Sequence, residues 1–178
     1  MTPVERLTGA DWLHRPETQK IFTLLDGAKN KTRAVGGVVR DTLLDRPRDL
    51  AEIDFATELT PEQVMRRAGE AGIGVYPTGI EHGTVTLRIG ELVAGGTTLR
   101  QDVQTDGRHA IVKFGIDWRR DAERRDFTLN ALYAGADGTL FDPLDGVVDC
   151  LAGVVRFIGD ADQRIAEVKP ERHHGRTG

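Results

Sequence analysis

Glu52 and Asp54 stand one residue apart in Glu52-Ile-Asp-Phe-Ala-Thr57, and this pair is the natural starting point for any chemistry in the chain. On a strand both carboxylates leave from the same face, with Cα atoms roughly 6.5 Å apart. Hard cations such as Mg²⁺ take oxygens presented in that way. Upstream, Gly36-Gly37 follows a short apolar run and precedes Val38-Val-Arg-Asp41. A bare backbone there lets a phosphate approach the N–H groups that open the next helix, and Arg40 can grip a phosphate oxygen or sugar hydroxyl. A third group is Asp121-Ala-Glu-Arg-Arg-Asp-Phe-Thr-Leu-Asn130, where Arg124 and Arg125, with Asp126 and Asn130, can clamp phosphates and position the reacting ends. A phosphate cradle joined to a two-carboxylate metal site is the minimum equipment for moving a nucleotidyl group. Taken singly, each signal has a plainer reading. Gly-Gly is a turn, Glu-x-Asp a solvated strand face, the arginine run a salt-bridged surface helix, and His82 in Thr78-Gly-Ile-Glu-His-Gly-Thr84 a structural histidine.

The elements that must hold these residues follow from periodicity. Residues 1–30 read as helical, with Trp12, Leu13, Ile21, Phe22, Leu24 and Leu25 as the apolar stripe and a helix start at Pro16. A strand is expected over 33–39, interrupted by the Gly-Gly turn, then a helix near 40–44. Thr60 caps a further helix with Pro61 at its first position, and Gly72 can end it. Strands follow at 74–76, 84–89 and 91–99, with Gly90 turning the last two into a hairpin. Residues 101–110 read as a polar loop. Residues 126–134 form a strand or a helix–strand junction, and short strands at 138–141 and 154–159 flank a turn of helix near 147–151. A helix begins at 160, and Pro170 stops it. The fold class is α/β (α+β), a mixed sheet flanked by helices. Its expected divisions are a helical segment over 1–30, a head domain over 31–168 and an atypical tail over 169–178.

At 178 residues with 39% hydrophobic and 29% charged content, the chain can bury a real core. The net charge of −4 excludes a broadly basic nucleic-acid surface, so any RNA contact is local. The single cysteine, Cys150, excludes a disulfide framework and, with no apolar stretch of membrane-spanning length, points to the cytoplasm.

Six segments in order carry a resemblance: Gly36-Gly-Val-Val-Arg-Asp41, Ile53-Asp-Phe-Ala-Thr57, Thr78-Gly-Ile-Glu-His-Gly-Thr84, Thr97-Thr-Leu-Arg100, Thr105-Asp-Gly-Arg-His-Ala110 and Glu123-Arg-Arg-Asp-Phe-Thr-Leu-Asn-Ala-Leu132. From about residue 33 to about 167 the chain resembles the class II tRNA nucleotidyltransferases, the CCA-adding enzymes, whose head is shared with bacterial poly(A) polymerases. The resemblance implies a polymerase-β-like nucleotidyltransferase head and Mg²⁺-dependent addition of C, C and A to the tRNA 3′ end from CTP and ATP, with two Mg²⁺ ions. It implies that Gly36, Gly37 and Arg40 meet the incoming nucleotide, that Glu52 and Asp54 hold metal, and that Arg125 meets the triphosphate with Arg124 beside it. Asp106-Gly107-Arg108 is similar to the family's flexible loop, which helps the switch from C to A addition.

The chain departs from that pattern in three places. Glu52 stands where the family carries aspartate, Gly95 stands where it carries glutamate before Thr-Thr-Leu-Arg, and the sequence after Val168 lacks the family's base-reading arginines. These departures motivate two alternatives: a poly(A) polymerase head, or a non-catalytic remnant that binds nucleotide or RNA weakly. Apolar surface left open by the absent body would favour self-association.

Overall fold

The computed structural model describes residues 1–46, 51–105 and 109–159, with the backbone only for 101–105 and 109–112. Its centre is a seven-stranded mixed sheet in the order β3-β4-β5-β2-β1-β8-β9. The strands are β1 (Thr32–Val35), β2 (Glu52–Thr57), β3 (Gly74–Gly79), β4 (Thr84–Ile89), β5 (Leu92–Thr98), β8 (Tyr133–Ala134) and β9 (Leu140–Phe141). Only β2 and β5 run parallel, in register from Glu52↔Val93 to Thr57↔Thr98. A separate hairpin pairs β6 (Arg100–Thr105) with β7 (His109–Phe114).

One face of the sheet is covered by helices α1 (Pro3–Thr8), α2 (Asp11–His14), α3 (Pro16–Leu24), α4 (Gly37–Leu43) and α5 (Pro61–Glu70). Leu13, Phe22, Val39, Leu43 and Val64 from these helices pack with Ile53, Phe55, Val85, Leu87 and Ala94 from the strands. Phe22 meets Phe55 edge to face at 5.2 Å, and burying each such ring contributes about 2 kcal/mol. Helix α5 begins as its sequence requires: the Thr60 side chain accepts from Gln63 N–H, while the Gln63 side chain accepts from Thr60 N–H.

The opposite face is divided. Over β1 and β8 lies α6 (Trp118–Glu123), where Val35, Ala56, Leu99, Ala122 and Tyr133 form a smaller core. Glu52 and Asp54 are on that same face, because they alternate with the buried Ile53 and Phe55 and share parity with Ala56. Toward β3, β4 and β5 the face is lined by half-buried residues, among them Thr84, Thr86 and Thr97. It presents Thr84 against Thr97, joined at 2.9 Å, and Thr78 against Thr86, joined at 2.6 Å. Helix α7 (Gly146–Ala152) closes the far end beneath the 3₁₀ turn Thr128–Asn130.

Several expected boundaries are corrected. The first strand stops at Val35, and Val38 and Val39 belong to α4, where they bury toward the core in place of continuing a ladder. Residues 101–105 and 109–110 are paired strands, not loop, since backbone pairing is indifferent to the polarity of the side chains. The expected strand at 154–159 is reduced to a single bridge between Phe127 and Phe157. The helix expected from 160, the tail over 169–178 and the loop Asp106, Gly107 and Arg108 lie outside the described residues.

Candidate active site

The two carboxylates occupy the exposed positions of β2, and Glu52 and Asp54 are both open to solvent. Asp54 faces Gly95 across the parallel pair. A Cβ at position 95 would come within 3.1 Å of Asp54 Oδ1, so this glycine leaves the carboxylate its room. The donor set fits a hard divalent ion. Mg²⁺ is commonly held by one or two carboxylates, with substrate phosphates and water completing its shell. Among the described residues no group of three or more His, Cys, Asp or Glu gathers as a metal cluster.

At the edge of this face the chain turns from β1 into α4. Gly36 adopts φ +78° with open space where a Cβ would lie, a conformation that favours glycine. Its N–H donates to the Leu132 carbonyl at 3.1 Å, so the amides left at this turn are those of Gly37 and the residues that follow. Arg40, half-buried on α4, donates through Nε to Asp41 Oδ1 at 3.0 Å and through Nη1 to Asn130 Oδ1 at 3.3 Å. Asn130 in turn donates to Asp126 Oδ1 at 3.2 Å. Three of the residues singled out in sequence, Arg40, Asn130 and Asp126, are thus joined in one chain of hydrogen bonds.

Arg124 and Arg125 differ from a salt-bridged surface helix. Their side chains are only 14% and 18% exposed, and both reach Asp121, whose side chain is 1% exposed. Asp121 Oδ1 accepts from Arg124 Nε at 3.1 Å and from the Arg100 N–H at 3.3 Å. Its Oδ2 accepts from Arg125 Nη2 at 3.2 Å and from the Tyr133 hydroxyl at 2.8 Å. Two guanidiniums against one carboxylate leave an excess positive charge in a largely desolvated place. Burial lowers the Arg124 pKa. Burial acts the same way on Arg125, yet its pKa sits above the ordinary value because the Tyr133 and Asp121 oxygens outweigh it. Burial pushes the Tyr133 phenol up, so it stays protonated and donates.

Sequence reasoning passed over Asp121, Tyr133 and Arg33 as site-building residues. The first had a visible signal: Asp121 precedes Arg124 by three positions and Arg125 by four, the spacings that meet on one helix face. Tyr133 and Arg33 had none. Arg33 lies between the rings of Trp118 and Phe141, at 4.5 and 4.4 Å from their centroids, and burial lowers its pKa. The His82 ring is exposed beside Glu81 at 3.8 Å, while its backbone carbonyl accepts from Arg100 Nη1 at 3.1 Å.

The family described as Poly A polymerase head domain matches residues 32–156. The human mitochondrial CCA tRNA nucleotidyltransferase 1 is 47% identical over 167 residues, covering 87% of this chain but only 37% of the relative. The crystal structure of a Bacillus stearothermophilus CCA-adding enzyme in complex with CTP superposes with a TM-score of 0.70 at 30% identity, over 88% of this chain and 37% of that one. A tRNA nucleotidyltransferase complexed with a primer tRNA and an incoming ATP analog gives 0.59 at 30% identity, over 76% and 39% respectively. The chain therefore spans well under half the length of these relatives.

Proposed function

Because the chain belongs to the Poly A polymerase head domain family, we propose that it is a nucleotidyltransferase head that adds C, C and A to the 3′ end of tRNA from CTP and ATP, in the cytoplasm. The observation that carries this reading is the shared sheet face: the Glu52 and Asp54 carboxylates lie on the face that α6 covers, and Arg124 and Arg125 follow directly at the end of that helix. Relatives whose names and complexes involve tRNA, CTP and an ATP analog support the choice of substrates.

Mg²⁺ at Glu52 and Asp54 would supply positive charge for the triphosphate and for the attacking 3′ oxygen of the primer. The protein's own groups do the rest. Arg124 and Arg125 offer the surplus cation that offsets charge gathering at the phosphates, already oriented by Asp121 before substrate arrives. Arg40, braced by Asp41 and Asn130, holds a sugar hydroxyl or phosphate oxygen of the incoming nucleotide. The bare turn at Gly36-Gly37 lets the nucleotide lie close to the backbone. No covalent enzyme intermediate is required, since the work is alignment and charge stabilisation.

The test is a Mg²⁺-dependent incorporation assay on tRNA lacking its terminal CCA, with labelled CTP and ATP offered separately and together. The expected result is C addition from CTP alone, with A added only after it. Long untemplated A tracts from ATP alone would replace this reading by a poly(A) polymerase head. Calorimetric binding of CTP without any incorporation would replace it by a non-catalytic nucleotide binder.

A further inference from the structure

Tyr133 belongs to no surface that a substrate can reach, since it is fully buried, yet its hydroxyl sits at the junction of the arginine cluster. It donates to Asp121 Oδ2 at 2.8 Å and accepts from Arg125 Nε at 3.3 Å. Its ring is held edge to face by Trp118 at 5.4 Å and tilted against Phe141 at 5.7 Å. Trp118 is itself anchored, donating to Glu58 Oε2 at 2.8 Å, and both flanking rings enclose the Arg33 guanidinium. A rigid aromatic block therefore fixes one hydroxyl, and that hydroxyl bridges a carboxylate and a guanidinium.

We propose that Tyr133 is a positioning residue for the triphosphate, holding Arg125 through its hydroxyl while Asp121 holds Arg124 and Arg125 together. The physical case is one of degrees of freedom. A long arginine side chain loses substantial rotamer entropy when it grips a phosphate, and a side chain fixed beforehand pays that cost in folding. Arg125 has two such fixings, at Nε and at Nη2, each to a buried oxygen. The remaining donors of its fork are left in one orientation for an anion. Tyrosine suits the position because its hydroxyl can donate a hydrogen bond to Asp121 and accept one from Arg125 at the same time; phenylalanine could fill the space but not join the two.

This inference rests on the reading that the site takes a nucleoside triphosphate, and its test separates the two. The decisive variant is Tyr133→Phe, which keeps the ring and its contacts. Isothermal titration with CTP and with inorganic tripolyphosphate should show affinity reduced by roughly tenfold for both, alongside a lower thermal midpoint from the lost buried hydrogen bonds. In an Arg125→Gln background the same change should cost less than about twofold, because the hydroxyl then has no guanidinium to orient. A purely structural role would weaken binding equally in both backgrounds, and that result overturns the inference. So does unchanged tripolyphosphate affinity in Tyr133→Phe. If wild type takes up neither CTP nor tripolyphosphate, the functional reading fails instead. The inference is then decided by the Arg125 Nε–H resonance of the free protein, which should be slow to exchange in wild type and fast in Tyr133→Phe; equal exchange rejects it.

Discussion

Glu52 carries one methylene more than the aspartate that its family resemblance leads one to expect, on a strand whose backbone is fixed by the ladder to β5. The strand cannot retreat, so the carboxylate itself must stand further out, by about an ångström. A displacement of that size at a reacting centre can cost roughly 10²-fold in rate. Glu52→Asp is therefore expected to raise nucleotide incorporation by between tenfold and roughly 10²-fold, measured under single-turnover conditions with labelled CTP. Because Glu52 is exposed, the same change should leave unfolding free energy within about 0.5 kcal/mol of wild type, as chemical denaturation would report. Unaltered incorporation with unaltered stability would mean that position 52 does not limit the reaction.

The segment carrying the arginines and Asn130 is held from behind by α7 and the stretch after it. Thr128 donates to Asp149 Oδ2 at 2.7 Å, and Arg156 reaches both Asp149 oxygens at 3.1 and 3.2 Å. Gly146 leaves no alternative packing, since a Cβ there would overlap the Thr128 carbonyl. These bonds from Arg156 and Thr128 hold the Asp149 carboxyl below its ordinary value. The sign follows directly: above the unfolded-state value, near pH 4, both states are ionised and the clamp contributes in full. Below it the unfolded chain takes up protons first, and the contribution drains away as pH falls. The gap in thermal midpoint between wild type and Asp149→Asn should therefore narrow from pH 5 to pH 3 when followed by circular dichroism; a constant gap would place the stabilisation elsewhere. At this scale the sequence was legible wherever one local rule sufficed. Thr60 and Pro61 announce the start of α5, Pro16 that of α3, and the alternation through β2 puts Glu52 and Asp54 on one face. It was misleading where two rules competed. Val38 and Val39 look like strand residues, but the turn at Gly36 sends them into a helix that buries them. Asp121 is charged and so reads as surface; its burial depends on four partners, among them Tyr133 twelve residues away and the Arg100 N–H twenty-one residues away.

For the molecule as a whole, charge limits how the proposed RNA substrate could be held. The chain has 24 basic against 28 acidic residues, so its long-range field does not draw a polyanion. Among the described residues, Arg124 and Arg125 form a local exception, where one carboxylate faces two guanidiniums. Binding of an RNA end through such a cluster engages two or three phosphates, in contrast to the many that a basic cleft neutralises. For single strands each neutralised phosphate contributes about 0.7 to the slope of log K against log salt, so the slope expected here is about −2. Fluorescence anisotropy of an end-labelled tRNA acceptor stem, titrated with the full chain across a potassium chloride series, measures it directly. A slope steeper than about −5 would require a basic RNA track remote from this cluster. A slope near −2 that flattens further in Arg125→Gln would tie the RNA and the triphosphate to the same small patch of positive charge.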